Sequence, residues 1–140
     1  MSMMFNAPVG VIDQYAQALR RIDKPWGYEI VWALTSDYCG KMLFVEAGHR
    51  LSLQFHRRKD ETIYLHSGLA QIHIGDPAEA VRPATISPGR SFHVPPGVIH
   101  RIEAIEDSLL FEVSTPHLDD VVRIEDAYGR GGGAALVADA

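Results

Sequence analysis

Leu51-Ser52-Leu53-Gln54-Phe55-His56 alternates apolar and polar side chains at a period of two. In an extended strand that alternation sends successive side chains to opposite faces. Leu51, Leu53 and Phe55 share one face, and Ser52, Gln54 and His56 the other. Gln54 and His56 therefore point the same way, about 7 Å apart by strand rise. After a short connection Glu61 opens a second run, Glu61–Ser67, in which Ile63 and Leu65 share its face. A carboxylate on an apolar face is costly to bury unless a cation meets it. Further on, Gly89-Arg90-Ser91-Phe92-His93-Val94-Pro95-Pro96-Gly97-Val98-Ile99-His100 makes a Pro-Pro-Gly turn and sets His100 at the start of another run.

Outward from these segments the same period recurs. Glu29–Leu34, Lys41–Glu46, Ala70–Ile74, Phe92–Val94, His100–Ala104 and Leu109–Thr115 read as short strands, punctuated by glycine and proline. Many short strands at this spacing predict an all-β sandwich or barrel. Val11, Ile12, Tyr15, Ala18 and Leu19 predict one short amphipathic N-terminal helix packed on the sheet. Asp119–Arg130 fits a final strand or a short helix. The organisation expected is an N-terminal arm and helix over 1–23, a barrel over 24–130 and a flexible tail over 131–140.

Composition narrows the function. The chain has 140 residues, 46% hydrophobic and 22% charged, the balance of a single globular domain. Thirteen Lys and Arg against eighteen Asp and Glu give a net charge of -5, so no basic field invites nucleic acid. No apolar run is long enough to span a membrane, and Met1–Gly10 has no basic, apolar leader pattern, so a cytoplasmic protein is expected. Cys39 is the single cysteine, which removes an internal disulfide and any thiolate-rich zinc site.

What remains is an imidazole–carboxylate site. Gln54, His56, Glu61 and His100 supply two imidazoles, one carboxylate and one amide oxygen. That mix suits a divalent ion, with Zn(II) first and Mn(II), Co(II), Ni(II) or Fe(II) as alternatives. A lone strand histidine is more often an ordinary hydrogen-bonded residue; four such groups on two turn–strand units form a far more specific pattern.

The two segments resemble the paired motifs of the cupin superfamily. The first matches from Gly48 to Gly68, with Gln54 in place of that motif's first histidine; the second matches at Gly89, Pro95, Gly97 and His100, with Ala104 in place of its asparagine. Lys24–Glu29, Leu51–His56, Val94–Arg101 and Asp119–Arg130 are similar to the cupin domain of type II mannose-6-phosphate isomerases. The resemblance implies a double-stranded β-helix (jelly-roll) barrel, a homodimer edged by its N-terminal strand, a metal held partly by Gln54, and aldose–ketose isomerisation of a sugar phosphate. In that family an arginine implicated in activity stands at the position of Lys59.

Such a reaction needs a base near the substrate carbon. Glu112, in the run Leu109–Thr115, is one candidate. Lys59 is the second, as base if its pKa is depressed and as electrostatic partner if not. Arg101 joins the catalytic set as a cation for a phosphate, and Lys24 and His93 are expected to bind substrate. Two other classes stay open: a non-catalytic sugar-binding cupin, and an Fe(II) dioxygenase using His56, Glu61 and His100. His49, His66, His73 and His117 read as exposed or structural, and Trp26 and Trp32 as core or dimer-interface residues.

Overall fold

The computed structural model describes residues 10–129 and 136–137. Among the described residues twelve strands run in order: β1 (Arg20–Lys24), β2 (Gly27–Leu34), β3 (Cys39–Val45), β4 (Leu53–Phe55), β5 (Glu61–Ser67), β6 (Ala70–Gly75), β7 (Arg82–Ile86), β8 (Ser91–Val94), β9 (Ile99–Ala104), β10 (Ser108–Ser114), β11 (Val121–Glu125) and β12 (Leu136–Val137). They form two six-stranded sheets, ordered β1-β2-β3-β10-β5-β8 and β12-β11-β4-β9-β6-β7, and every pairing is antiparallel. From β3 onward most connections cross from one sheet to the other, so the sheets close on one core.

That core is the inward half of the period-two pattern. Leu43, Val45, Ile63, Leu65 and Leu110 of the first sheet meet Ala70, Ile72, Ile86, Ile102 and Ala104 of the second, with Trp26 fully buried at one end. Burial of this kind contributes about 25 cal/mol per Å² of apolar surface. Gly68 turns the chain between β5 and β6 at φ +97°, where a Cβ would fall on the Asp107 carbonyl and the Ser108 side chain. The two outer faces differ. The second sheet carries the Arg101–Glu125 and His73–Glu103 pairs, whereas on the first Tyr28 stacks on Phe44 and Tyr64 on Phe111. Trp32 and Val113 are 43% and 55% exposed there, so Trp32 is a surface residue and Trp26 alone of the two tryptophans belongs to the core.

The N-terminal expectation needs correction. Instead of an amphipathic helix over Val11–Leu19 there is a six-residue 3-10 helix, Gly10–Tyr15, with Ile12 and Tyr15 exposed. Beyond it the chain extends. The Leu34 N–H donates to Gln17 Oε1 at 3.0 Å, and β1 pairs with β2 from Arg20↔Val31 to Lys24↔Gly27. Sheet pairing wins because so short a helix does not recover its nucleation cost. β1 thus covers the β2 edge within its own chain. Asp119–Arg130 resolves as the strand β11, and β7 went unread in the sequence because only Ile86 of its residues is buried. The flexible tail expected over 131–140 lies outside the described residues except for 136–137, which form β12 beside β11. Among the described residues no helix is long and apolar enough to cross a membrane.

Candidate metal centre

Register brings the distant segments together. Gln54 of β4 lies opposite His100 of β9, and Glu61 opens β5 on the facing sheet. The donor atoms of His56, Glu61 and His100 lie within 4.8 Å of one another, and all three residues are buried. His56 Nε2 is 2.8 Å from Glu61 Oε2, and His100 Nε2 is 3.9 Å from Glu61 Oε1.

The remaining atoms of these side chains explain why they point inward. His56 Nδ1 donates to the Asp120 carbonyl at 2.6 Å, and His100 Nδ1 donates to the Val98 carbonyl at 3.0 Å. A carbonyl only accepts, so each Nδ1 carries a hydrogen and each ring turns Nε2 toward Glu61. Gln54 is oriented likewise. Its Nε2 donates to Ser52 Oγ at 2.9 Å and Ser52 O at 3.4 Å, leaving Oε1 as the atom that could hold an ion. Glu61 Oε2 is buried without a hydrogen bond of proper geometry despite its 2.8 Å approach to His56. A carboxylate facing two ring nitrogens is satisfied by a proton or a metal ion between them. The donor set and a narrow space of about 20 Å³ fit one divalent ion.

Charge around the centre alternates. Lys59 Nζ is 2.9 Å from Glu112 Oε2 and 3.4 Å from Glu61 Oε2, and all three side chains are buried. Burial alone would lower the Lys59 pKa, but Glu112 and then Glu61 outweigh it and hold the ammonium above the ordinary lysine range. Lys59 therefore meets the condition for an electrostatic partner, not a base. Burial likewise works against ionised Glu61, yet Lys59, His56 and His100 keep its carboxyl well below the usual carboxylate range. Burial pushes His100 below the ordinary imidazole value, which keeps the ring neutral and able to ligate. Glu112 faces the interior beside these groups, although Phe111 and Val113 of the same strand face outward.

Two predicted residues fall elsewhere, and a third lines the cavity with its charge committed to other partners. Arg101 is buried, but its Nε donates to Leu51 O at 2.8 Å and its terminal nitrogens bond Glu125 Oε1 and Glu125 O at 3.0 and 3.3 Å. Its guanidinium braces β9 to the segment before β4 and to β11. His93 pairs across the sheet with Thr62, on the side away from Glu61 and Val94, and its ring meets Asp60 Oδ1 at 2.5 Å in a largely exposed pair. Lys24 ends β1 opposite Gly27, in the row that continues through Val45 and Ser108; Glu61 lies in the row of Ser114 and Cys39 at the other end of the sheet. Alternation fixes the face of a residue but not its position along the barrel, which is why it does not exclude Lys24 from the site; His93 differs by face.

Three polar residues near the centre were missed. The Asp120 carboxylate accepts the backbone N–H groups of Arg57, Arg58 and Lys59 at 3.1, 2.6 and 2.8 Å, and these bonds hold its pKa below the usual value against its slight burial. Of the basic run, Arg57 and Arg58 are exposed and Lys59 turns inward. Glu29 and Lys41 form a second interior pair at 3.5 Å. Inward parity of Glu29 with Val31, and of Lys41 with Leu43 and Val45, was the available signal.

A two-sheet β fold with a His–Glu–His cluster between its sheets is that of a cupin. The sequence profile described as "Mannose-6-phosphate isomerase C-terminal" matches residues 12–126, and the chain belongs to that family. Among characterised proteins it is 31% identical over 116 residues to the xanthan biosynthesis protein XanB of Xanthomonas campestris, covering 79% of this chain and 24% of that one. The alginate biosynthesis protein AlgA of Pseudomonas aeruginosa is 30% identical over 118 residues, covering 81% and 24%. The chain thus spans about a quarter of the length of these relatives. Similar folds occur in KdgF from Halomonas sp., with TM-score 0.62, 23% identity and coverage of 69% and 87%, and in the capsular polysaccharide assembling protein CapF of Staphylococcus aureus, with TM-score 0.69, 17% identity and coverage of 79% and 33%.

Proposed function

We propose that the chain is a metal-dependent aldose–ketose isomerase acting on a sugar phosphate of the mannose 6-phosphate type. The observation that carries the proposal is the pairing of a tethered His56–Glu61–His100 cluster with an ionic Glu112–Lys59 dyad directly beside it. Gln54, His56, Glu61 and His100 would hold the ion, which when bound supplies Lewis-acid stabilisation for negative charge on the two neighbouring substrate oxygens. Glu112 takes the proton from the carbon beside the carbonyl and returns it to the former carbonyl carbon. The hydroxyl proton passes to the neighbouring oxygen, so no atom or electron is gained or lost. Lys59 stays protonated and stabilises ionised Glu112 between the two transfers. Membership of the mannose-6-phosphate isomerase C-terminal family supports the substrate class.

The test is conversion of mannose 6-phosphate to fructose 6-phosphate, followed by NMR in D2O. Turnover with deuterium incorporation, lost on chelation and restored by metal, is the expected result. Stoichiometric metal and sugar binding without turnover on mannose 6-phosphate or free aldoses indicates the sugar-binding reading. Tightly held iron with oxygen consumption indicates the dioxygenase. A homodimer is part of the same proposal, and the exposed Trp32, Tyr38 and Val113 of the first sheet support pairing through that face.

A further inference from the structure

The narrow space at the candidate metal centre has room for an ion or a water, not for a hexose. A substrate must therefore reach it from outside, and two open clefts share lining with it: one of about 320 Å³ shares Glu61 alone, and a larger one shares two residues. The larger cleft, of about 530 Å³, lies between the inward-facing side chains of β2 and β3 and the loop between β10 and β11. Arg20, Ser36 and Asp119 line its outer part. Its volume is that of an ordinary small-molecule site. The cleft and the metal cavity share two lining residues, Glu29 and Lys41.

That pair forms the partition between the two spaces. Both side chains are buried, yet their contact is long, with Lys41 Nζ 3.5 Å from Glu29 Oε1 against 2.9 Å for Lys59 and Glu112. Lys41 is also the cross-strand neighbour of Glu112. Charged groups thus run in alternating sign from the cleft inward: Glu29, Lys41, Glu112, Lys59, Glu61.

Resting on the isomerase reading, we propose that this cleft is the substrate-binding site and that Glu29 and Lys41 are its specificity-determining residues. A ligand entering here separates a buried ion pair, and it must then satisfy both halves. A polyol does so, because each hydroxyl both donates and accepts: one hydroxyl donates to Glu29, and a neighbouring hydroxyl or carbonyl oxygen accepts from Lys41. An apolar ligand would strand two charges. The ligand class is therefore a polyhydroxylated small molecule whose reacting end passes Lys41 to reach Glu112.

Two variants test this without stranding a charge. Glu29→Gln with Lys41→Met removes both charges together, and Ser36→Trp fills the mouth of the cleft from an exposed position. With metal-loaded protein and 31P NMR titration of mannose 6-phosphate and fructose 6-phosphate, both variants are expected to weaken binding about tenfold or more while metal content is unchanged. In turnover the double variant should raise KM more than it lowers kcat. Ser36→Trp should also slow EDTA stripping of the loaded ion about tenfold or more, since access runs through the cleft. Wild-type affinity and stripping rate in Ser36→Trp would overturn the inference and leave the isomerase reading standing. Slowed stripping in a protein that binds neither sugar phosphate would keep the route and overturn the function.

Discussion

His56 Nδ1 donates to the main-chain carbonyl of Asp120 at 2.6 Å, while the carboxylate of the same residue holds the backbone of Arg57, Arg58 and Lys59. One residue thus orients a ligand ring and fixes the connection that delivers Lys59 and Glu61. Asp120→Ala keeps the carbonyl and removes three charge-assisted bonds. Its expected cost is about 1–3 kcal/mol in urea unfolding, with at most about a tenfold loss of metal affinity by titration.

The same carboxylate makes a pH prediction. Its folded pKa is depressed, so its contribution is present above the unfolded value near 4 and fades as pH falls through the folded value. Unfolding free energies measured downward from pH 5 should therefore fall less steeply in Asp120→Asn than in the wild type.

Gln54→Ala and His56→Ala remove ligand atoms directly. Metal content measured by plasma emission should drop in both, and further for His56, whose imidazole is the stronger donor. Full stoichiometry in both variants would refute the ligand assignment.

Glu112→Gln leaves the ligands intact while removing the base. Turnover is expected to fall about 10²–10⁴-fold at unchanged metal content. Lys59→Met strands Glu112 and Glu61 in the interior and should destabilise by about 3–5 kcal/mol, a loss that Glu112→Gln in the same chain partly restores.

Gly68→Ala tests the fold rather than the site. Its positive φ and the Asp107 carbonyl both oppose a Cβ, so a loss of about 1–3 kcal/mol is expected by thermal unfolding, with the metal affinity retained.

Much of this architecture could be read before any coordinates existed. The strand Glu61–Ser67 was bounded correctly, the other seven runs were right to within two residues, and Gln54, His56, Glu61 and His100 do line one cavity. Alternation sufficed there because one face of each strand is buried. It did not reveal β1, whose residues are polar and which exists by pairing with β2. Nor could it show depth: Lys24 and Glu61 occupy opposite ends of the same sheet, a fact set by register among β2, β3, β10 and β5. Glu112 was equally readable as a surface carboxylate, and only packing against Lys59 places it inside. Asp120 acts through hydrogen bonds spanning more than sixty positions, beyond the reach of any local pattern.

Both imidazoles hang from peptide oxygens, those of Val98 and Asp120, and every amino acid carries that oxygen. The aim of the two rings is therefore insulated from ordinary sequence drift at 98 and 120. Insertions or deletions in the adjoining loops have no such immunity, since they shift the oxygens themselves. Among descendants of this domain, loop length should tell coordinating members from those that have abandoned the ion more faithfully than the identity of the residues beside the ligands.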